Sequence, residues 1–266
     1  MTVGLEAHLR ARRADGAKLL VPYVSGGLPG WTDVLLAFAD AGADAIEIGI
    51  PFSDPVMDGP TIQEASQRAL DAGATPQSIL SELRDIEAGV PLVAMTYANL
   101  AHKAGWERFA TDLARGGISG AILPDLPLEE SGAWEAAAAG AGVDTVLLAA
   151  PVSPDDRLRR ICQRSRGFVY GVTVMGVTGA RSEMTTAAAV LGDRLKAATD
   201  LPVLMGFGVS SPEHAVELSR HADGVIIASA LMRRFLDGEK PNEVADLVAE
   251  IRAALDAATG PTARDG

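Results

Sequence analysis

The sequence predicts an α/β chain closed into a (β/α)8 barrel, and three observations predict it. Eight short apolar runs, each rich in Val, Ile, Leu or Ala, are spread along 266 residues; such runs suit parallel strands buried on both faces. Amphipathic, helix-like stretches separate them. Four helix-to-strand transitions, "AGADAIEIG", "GGISGAILP", "AGVDTVLLA" and "RHADGVIIA", pass from small or polar residues into an apolar run in the same way, the trace of one repeated βα unit. Eight units fit a barrel of about 250 residues forming one domain. An open doubly wound sheet is the competing arrangement, because a count of strands does not establish closure.

The elements follow in order. An extra helix is expected in "MTVGLEAHLRARRADG", ahead of the first strand "KLLVPYVS" (18–25). In "WTDVLLAFADAG", Trp31, Val34, Leu35 and Phe38 share one helical face. The next strands are "DAIEIGI" (44–50), "PLVAMTY" (91–97), "GAILPD" (120–125), "DTVLLAA" (144–150), "GFVYGVT" (167–173), "PVLMGFG" (202–208) and "DGVIIAS" (223–229). "SPDDRLRRIC" and "SPEHAVELSR" each read as a serine N-cap with proline at the first helical position. One domain spans 1–266, with the tail "ATGPTARDG" frayed from about 259.

Composition narrows the function classes. The formal net charge of −12 leaves no basic footprint for nucleic acid. Cys162 is the single cysteine, so no internal disulfide forms and no thiol neighbour offers a metal. His8, His102, His214 and His221 are dispersed, without zincin spacing, and read as surface or loop residues. No segment reaches membrane-spanning length and the start lacks a secretory apolar region, so a soluble cytoplasmic protein is expected.

The chemistry concentrates in "DAIEIGIPFSDPVMDGP" (44–60). Side chains alternate along a strand, so Ala45, Glu47 and Gly49 share one face and Ile46 and Ile48 the other. The isoleucines fit against outer helices, which turns Glu47 into the barrel near its carboxyl-terminal end, where barrel enzymes place their catalytic groups. A carboxyl stripped of water there has a raised pKa unless a cation compensates, as suits a group that takes and gives a proton. A structural glutamate paired with an arginine is the alternative. The following loop carries Asp54 and Asp58 between Pro51, Pro55 and Pro60, stiff enough to hold a second carboxylate over the mouth; ordinary turn chemistry explains each aspartate taken alone. "GVTGA" (176–180), "GFG" (206–208) and "ASA" (228–230) follow three successive late strands. Glycine loops and a helix start there suit a phosphate.

Together, "GADAIEIGIPFSDPVMDGPTIQEAS", "MTYANL", "PDLPLEE", "MGVTGAR" and "GFGVSSPE" resemble the tryptophan synthase alpha chain family, in order from Lys18 to Leu236. The resemblance implies a TIM barrel and a lyase that cleaves indole-3-glycerol phosphate by retro-aldol reaction to indole and glyceraldehyde 3-phosphate. It implies no cofactor on this chain, and a beta subunit bearing pyridoxal phosphate as partner in an alpha2beta2 complex. By motif position, Glu47 resembles the catalytic proton shuttle and Asp58 the catalytic aspartate facing indole N1–H. Tyr23, Met95, Tyr97, Asp125, Tyr170 and Phe207 match the indole pocket; Gly179, Gly208 and Ser229 match the phosphate site; Thr178 matches the loop threonine that hydrogen-bonds the aspartate. Two departures stand out. Ala228 replaces the usual glycine before Ser229, harmless only if its φ is negative, and "SGGLPG" is looser than the common pattern. A stand-alone lyase releasing indole, and a catalytically weak partner that activates a beta subunit, are the other readings; the presence of both carboxylates speaks against the latter.

Overall fold

A computed structural model of the chain describes residues 4–172, 181–206 and 208–259, the side chains of 181–185 excepted. The order is α1 (Leu5–Ala14), β1 (Leu19–Ser25), α2 (Trp31–Asp40), β2 (Ile46–Gly49), α3 (Pro60–Asp71), α4 (Pro76–Leu83), β3 (Leu92–Met95), α5 (Ala98–Ala104), α6 (Trp106–Arg115), β4 (Ile118–Ile122), α7 (Gly132–Ala141) and β5 (Asp144–Ala149). Then come α8 (Asp155–Arg164), β6 (Val169–Gly171), α9 (Arg181–Ala198), β7 (Val203–Met205), α10 (Pro212–Ser219), β8 (Gly224–Ile227), α11 (Ser229–Leu236) and α12 (Pro241–Thr259). All eight strands pair in parallel with their sequence neighbours, and β8 returns to β1 through Leu19↔Gly224 and Pro22↔Ile227. That last ladder decides for the closed barrel over the open sheet.

The alternation read from the second strand holds. Ile46 and Ile48 join the outer core with Trp31, Leu35 and Phe38 of α2. Ala45 joins the inner core with Val21, Val93, Val146, Phe168 and Ile226. Leu5 and Leu9 of α1 complete that inner core and plug the amino-terminal end of the barrel. Gly120 and Gly167 make room, since a methyl on either would overlap the Leu5 side chain. Ionic contacts hold the plug: Arg12 Nε meets the buried Asp44 at 2.7 Å, and Arg252 meets its other oxygen at 3.2 Å. Asp44 also accepts Leu20 N–H at 2.8 Å, so its lone pairs are used and its burial is tolerated. This end is built for stability; the opposite end is left for chemistry.

Two local readings are corrected. The fourth strand starts earlier and ends at Ile122, placing Leu123–Asp125 in a loop; Pro124 has no N–H to extend the ladder. Helix α8 begins at Asp155 with Pro154 in the cap position and no side-chain cap, because Ser153 turns its N–H back to Ala150 O at 3.0 Å. Ser211 does cap α10, accepting His214 N–H, with Pro212 next. The helix α12 runs through Thr259, and 260–266 lie outside the described residues.

Candidate active site

The site grows from the register of the first three strands. Tyr23 of β1 is level with Glu47 of β2, and Glu47 with Val93 of β3. Glu47 is 1 % exposed, and among the described residues its Oε2 has no hydrogen-bond partner. Among the described residues no arginine or lysine pairs with it. Burial, and then the nearby Asp58 charge, push its pKa up to about 8.

Asp58 sits half-buried in the loop after β2. The loop is tightened by Asp58 N–H to Pro55 O at 3.2 Å and Gln63 Nε2 to Asp58 O at 2.9 Å. Burial raises the Asp58 carboxyl to about 6, and a hydrogen bond from the Tyr97 hydroxyl opposes the rise. Asp54 behaves as turn chemistry: it is exposed and accepts from Ser53 Oγ at 2.6 Å.

Phenols enclose the two carboxyls. Tyr23 is 3 % exposed, and burial followed by the Asp58 charge raises its pKa. Burial, and then the charges of Glu47 and Asp58, raise the pKa of Tyr170 on β6. Both lie over glycines, Gly49 in β2 and Gly206 just after β7. A methyl on Gly49 would overlap the Tyr23 hydroxyl, and one on Gly206 the Tyr170 ring. The parity of Gly49 with Glu47 is the only sequence sign of this; the sequence marked Gly206 as part of the "GFG" phosphate loop and not as a seat for Tyr170. Met95, at the end of β3, touches both inner and outer cores.

Tyr97 and Asp125, expected around the indole, also make contacts within the protein. The Tyr97 hydroxyl accepts Met57 N–H at 2.9 Å and its ring stacks on Phe52, with centroids 5.1 Å apart. Asp125 Oδ1 accepts Ala98 N–H at 2.8 Å, at the start of α5. Gly208 follows β7 with φ +70°, and Ser229 opens α11 after β8, so these two expected phosphate groups rise from adjacent strands. Ala228 has φ −125°, so its methyl carries no left-handed strain. Thr178, Gly179 and Phe207 lie outside the described residues.

The histidines stay apart from this cluster. His8 lies in α1, half-buried, with Nε2 unpartnered, and burial lowers its pKa. His102 packs edge-on to Trp106, His214 meets Ser210, and His221 pairs with Asp193. Cys162 is buried in α8, where burial raises its thiol pKa. Among the described residues, no group of three His, Cys, Asp or Glu is placed to hold a metal ion.

A closed parallel (β/α)8 barrel with two carboxyls of raised pKa at its carboxyl-terminal mouth has the form of a barrel enzyme. The family model described as tryptophan synthase alpha chain matches residues 9–259, and the chain belongs to that family. The tryptophan synthase alpha chain of Thermobifida fusca is 42% identical over 269 residues, 97% of this chain and 99% of the relative. That of Geobacter sulfurreducens is 41% identical over 249 residues, 91% of this chain and 94% of the relative. A solved tryptophan synthase structure from M. tuberculosis superposes with a TM-score of 0.87 at 38% identity, covering 96% of this chain and 99% of that one. The alpha subunit from Legionella pneumophila str. Paris gives 0.86 at 29% identity, with 95% and 98% covered. The chain is a lyase of tryptophan biosynthesis whose reaction is the cleavage of indole-3-glycerol phosphate to indole and glyceraldehyde 3-phosphate.

Proposed function

We propose that Glu47 and Asp58 carry this cleavage as proton shuttle and charge stabiliser. The observation that bears most weight is the buried Glu47 carboxyl with an unpartnered oxygen beside a second, more acidic carboxyl. Near neutral pH the order of the two pKa values leaves Asp58 ionised and Glu47 protonated. Glu47 gives its proton to indole C3, and positive charge develops toward N1. Asp58, facing N1–H, stabilises that charge in a water-poor site. Glu47, now a carboxylate, takes the proton of the hydroxyl on the carbon attached to C3. That hydroxyl becomes the aldehyde, the carbon–carbon bond breaks, and its electron pair returns to the ring and neutralises the cation. Atoms and charge balance, and Glu47 ends as it began.

Tyr23, Met95 and Tyr170 supply the walls around the indole, and Gly208 and Ser229, with Gly179, hold the phosphate through backbone N–H groups and one hydroxyl. Proton transfer alone accomplishes the reaction, so we assign no cofactor to this chain; pyridoxal phosphate belongs to a beta partner. Membership of the family supports such a partner in an alpha2beta2 complex and a cytoplasmic location. No described helix is long and apolar enough to cross a membrane. Steady-state cleavage by Glu47→Gln and Asp58→Asn tests the assignment. Each variant is expected to fold and to lose about a hundredfold or more in turnover; near-native turnover in either removes that residue from its role.

A further inference from the structure

We infer that Asp125 is a positioning residue: it caps α5 from the neighbouring loop and, through Tyr97, fixes Asp58 at the barrel mouth. The inference rests on the role proposed for Asp58. Helix α5 starts without a cap of its own, because the residue in the cap position is Tyr97 and its side chain makes no capping bond. An uncapped start leaves backbone N–H groups without partners. Asp125, on the loop between β4 and α7, reaches across and accepts Ala98 N–H at 2.8 Å. A carboxylate at a helix start is the favoured charge there.

The segment 96–98 is therefore held from both sides. On the β4 side, Thr96 N–H bonds Ile122 O at 3.1 Å, and Asp125 takes Ala98 N–H. On the β2 side, Thr96 Oγ1 bonds Ile50 O at 3.1 Å, Tyr97 stacks on Phe52, and its hydroxyl accepts Met57 N–H. The same hydroxyl opposes the rise that burial causes in the pKa of Asp58, the residue after Met57. Tyr97 thus grips the loop at Met57, next to Asp58, and its backbone direction is set where Asp125 ties down α5. Asp125 is exposed, so this chain of contacts runs from the rim of the mouth to the carboxylate that faces N1–H.

The groups facing Asp58 among the described residues are Glu47 from β2, Tyr23 from β1, Tyr170 from β6 and Tyr97 after β3, with Asp125 acting on Tyr97. Only the Tyr97 contact lowers the Asp58 pKa. Slackening it moves that pKa further up.

The test is steady-state cleavage of indole-3-glycerol phosphate by the full chain across pH, for Asp125→Ala, Asp125→Asn, Tyr97→Phe and the Asp125→Ala/Tyr97→Phe pair. Asp125→Ala should lower kcat about tenfold with KM changed less than about threefold, and move the acid limb to higher pH. Asp125→Asn keeps an acceptor oxygen and should stay within about twofold of the parent. The double variant should be no worse than Tyr97→Phe alone, the mark of two residues acting on one element. A rise in KM with kcat unchanged would make Asp125 a substrate contact and overturn the inference; so would multiplying losses, or an acid limb that stays in place. Asp58→Asn run alongside separates the failures. If it keeps turnover, the role of Asp58 is wrong; if it is inactive and Asp125→Ala is unaffected, only the positioning role is lost.

Discussion

Gly49 faces Tyr23 across the first two strands so closely that a methyl on the glycine would occupy the place of the phenol oxygen. Glu47 is two residues back on the same face and level with Tyr23. The glycine therefore sets where the phenol lies, and the phenol forms part of the wall that keeps water from Glu47. Gly49→Ala should displace Tyr23, destabilise the fold by about 1–3 kcal/mol as overpacking does, and reduce turnover. Thermal unfolding and steady-state cleavage check it; an alanine variant with native stability and turnover would show that the ring has somewhere else to go.

The split between the two carboxyls predicts the pH dependence of cleavage. Below about 6 Asp58 takes a proton and no longer stabilises charge at N1. Above about 8 Glu47 loses the proton it must give. A profile of kcat/KM against pH should be bell-shaped, with its maximum near 7 and limbs belonging to the interacting pair. Asp58→Asn should erase the acid limb from whatever activity remains. An acid limb unchanged in that variant assigns it to another group.

The same burial carries a stability signature. The Glu47 pKa is raised in the folded state from an ordinary 4.5 to about 8. The folded state therefore holds a proton that the unfolded chain gives up. The native advantage is complete below about 4.5 and is lost as pH rises to about 8. Glu47→Gln has no such proton. Its unfolding free energy relative to the parent should improve by a few kcal/mol between pH 5 and pH 9. Denaturant unfolding at the two values checks it, and a constant difference would mean that Glu47 is better solvated than its surroundings indicate.

The parts legible in the sequence were those governed by local pattern. Buried parallel strands announce themselves as apolar runs, and a single carboxylate at inward parity, Glu47, stands out against them. The α2 face of Trp31, Val34, Leu35 and Phe38 is buried as its spacing implies. What escaped depended on partners distant in sequence. The bond from Met57 N–H to Tyr97 joins residues 40 apart, and that from Ala98 N–H to Asp125 joins residues 27 apart. Motif position marked both side chains as important and could not say that they hold backbone. The plug of Leu5 and Leu9 was hidden for the same reason, since its glycine seats lie in β4 and just ahead of β6.

A partner at the mouth is the last expectation, and the surface gives it a physical basis. Val56 and Met57, on the loop after β2, are 79% and 57% exposed, and Val152, on the loop after β5, is 82% exposed. Both loops rise from the carboxyl-terminal end of the barrel, the end that holds Glu47 and Asp58. Single exposed apolar residues are common, but apolar residues on loops around one opening suit a surface that another protein covers. Met57 is also the residue whose N–H is bound by Tyr97, next to Asp58. A partner seated on Val56 and Met57 would restrain the loop in the arrangement that keeps Asp58 toward the substrate, raising the population of the competent state. Adding a beta subunit should therefore speed cleavage by at least about tenfold, equivalent to roughly 1.4 kcal/mol. Val56→Asp places an unpaired charge in the covered surface. It should weaken the beta subunit's half-maximal concentration by about tenfold or more while the isolated chain turns over as before. Titrating beta subunit into parent and variant separates the outcomes. Equal activation of both would move the interface away from this loop, and rapid turnover of the isolated chain with no gain from beta subunit would make it a stand-alone lyase.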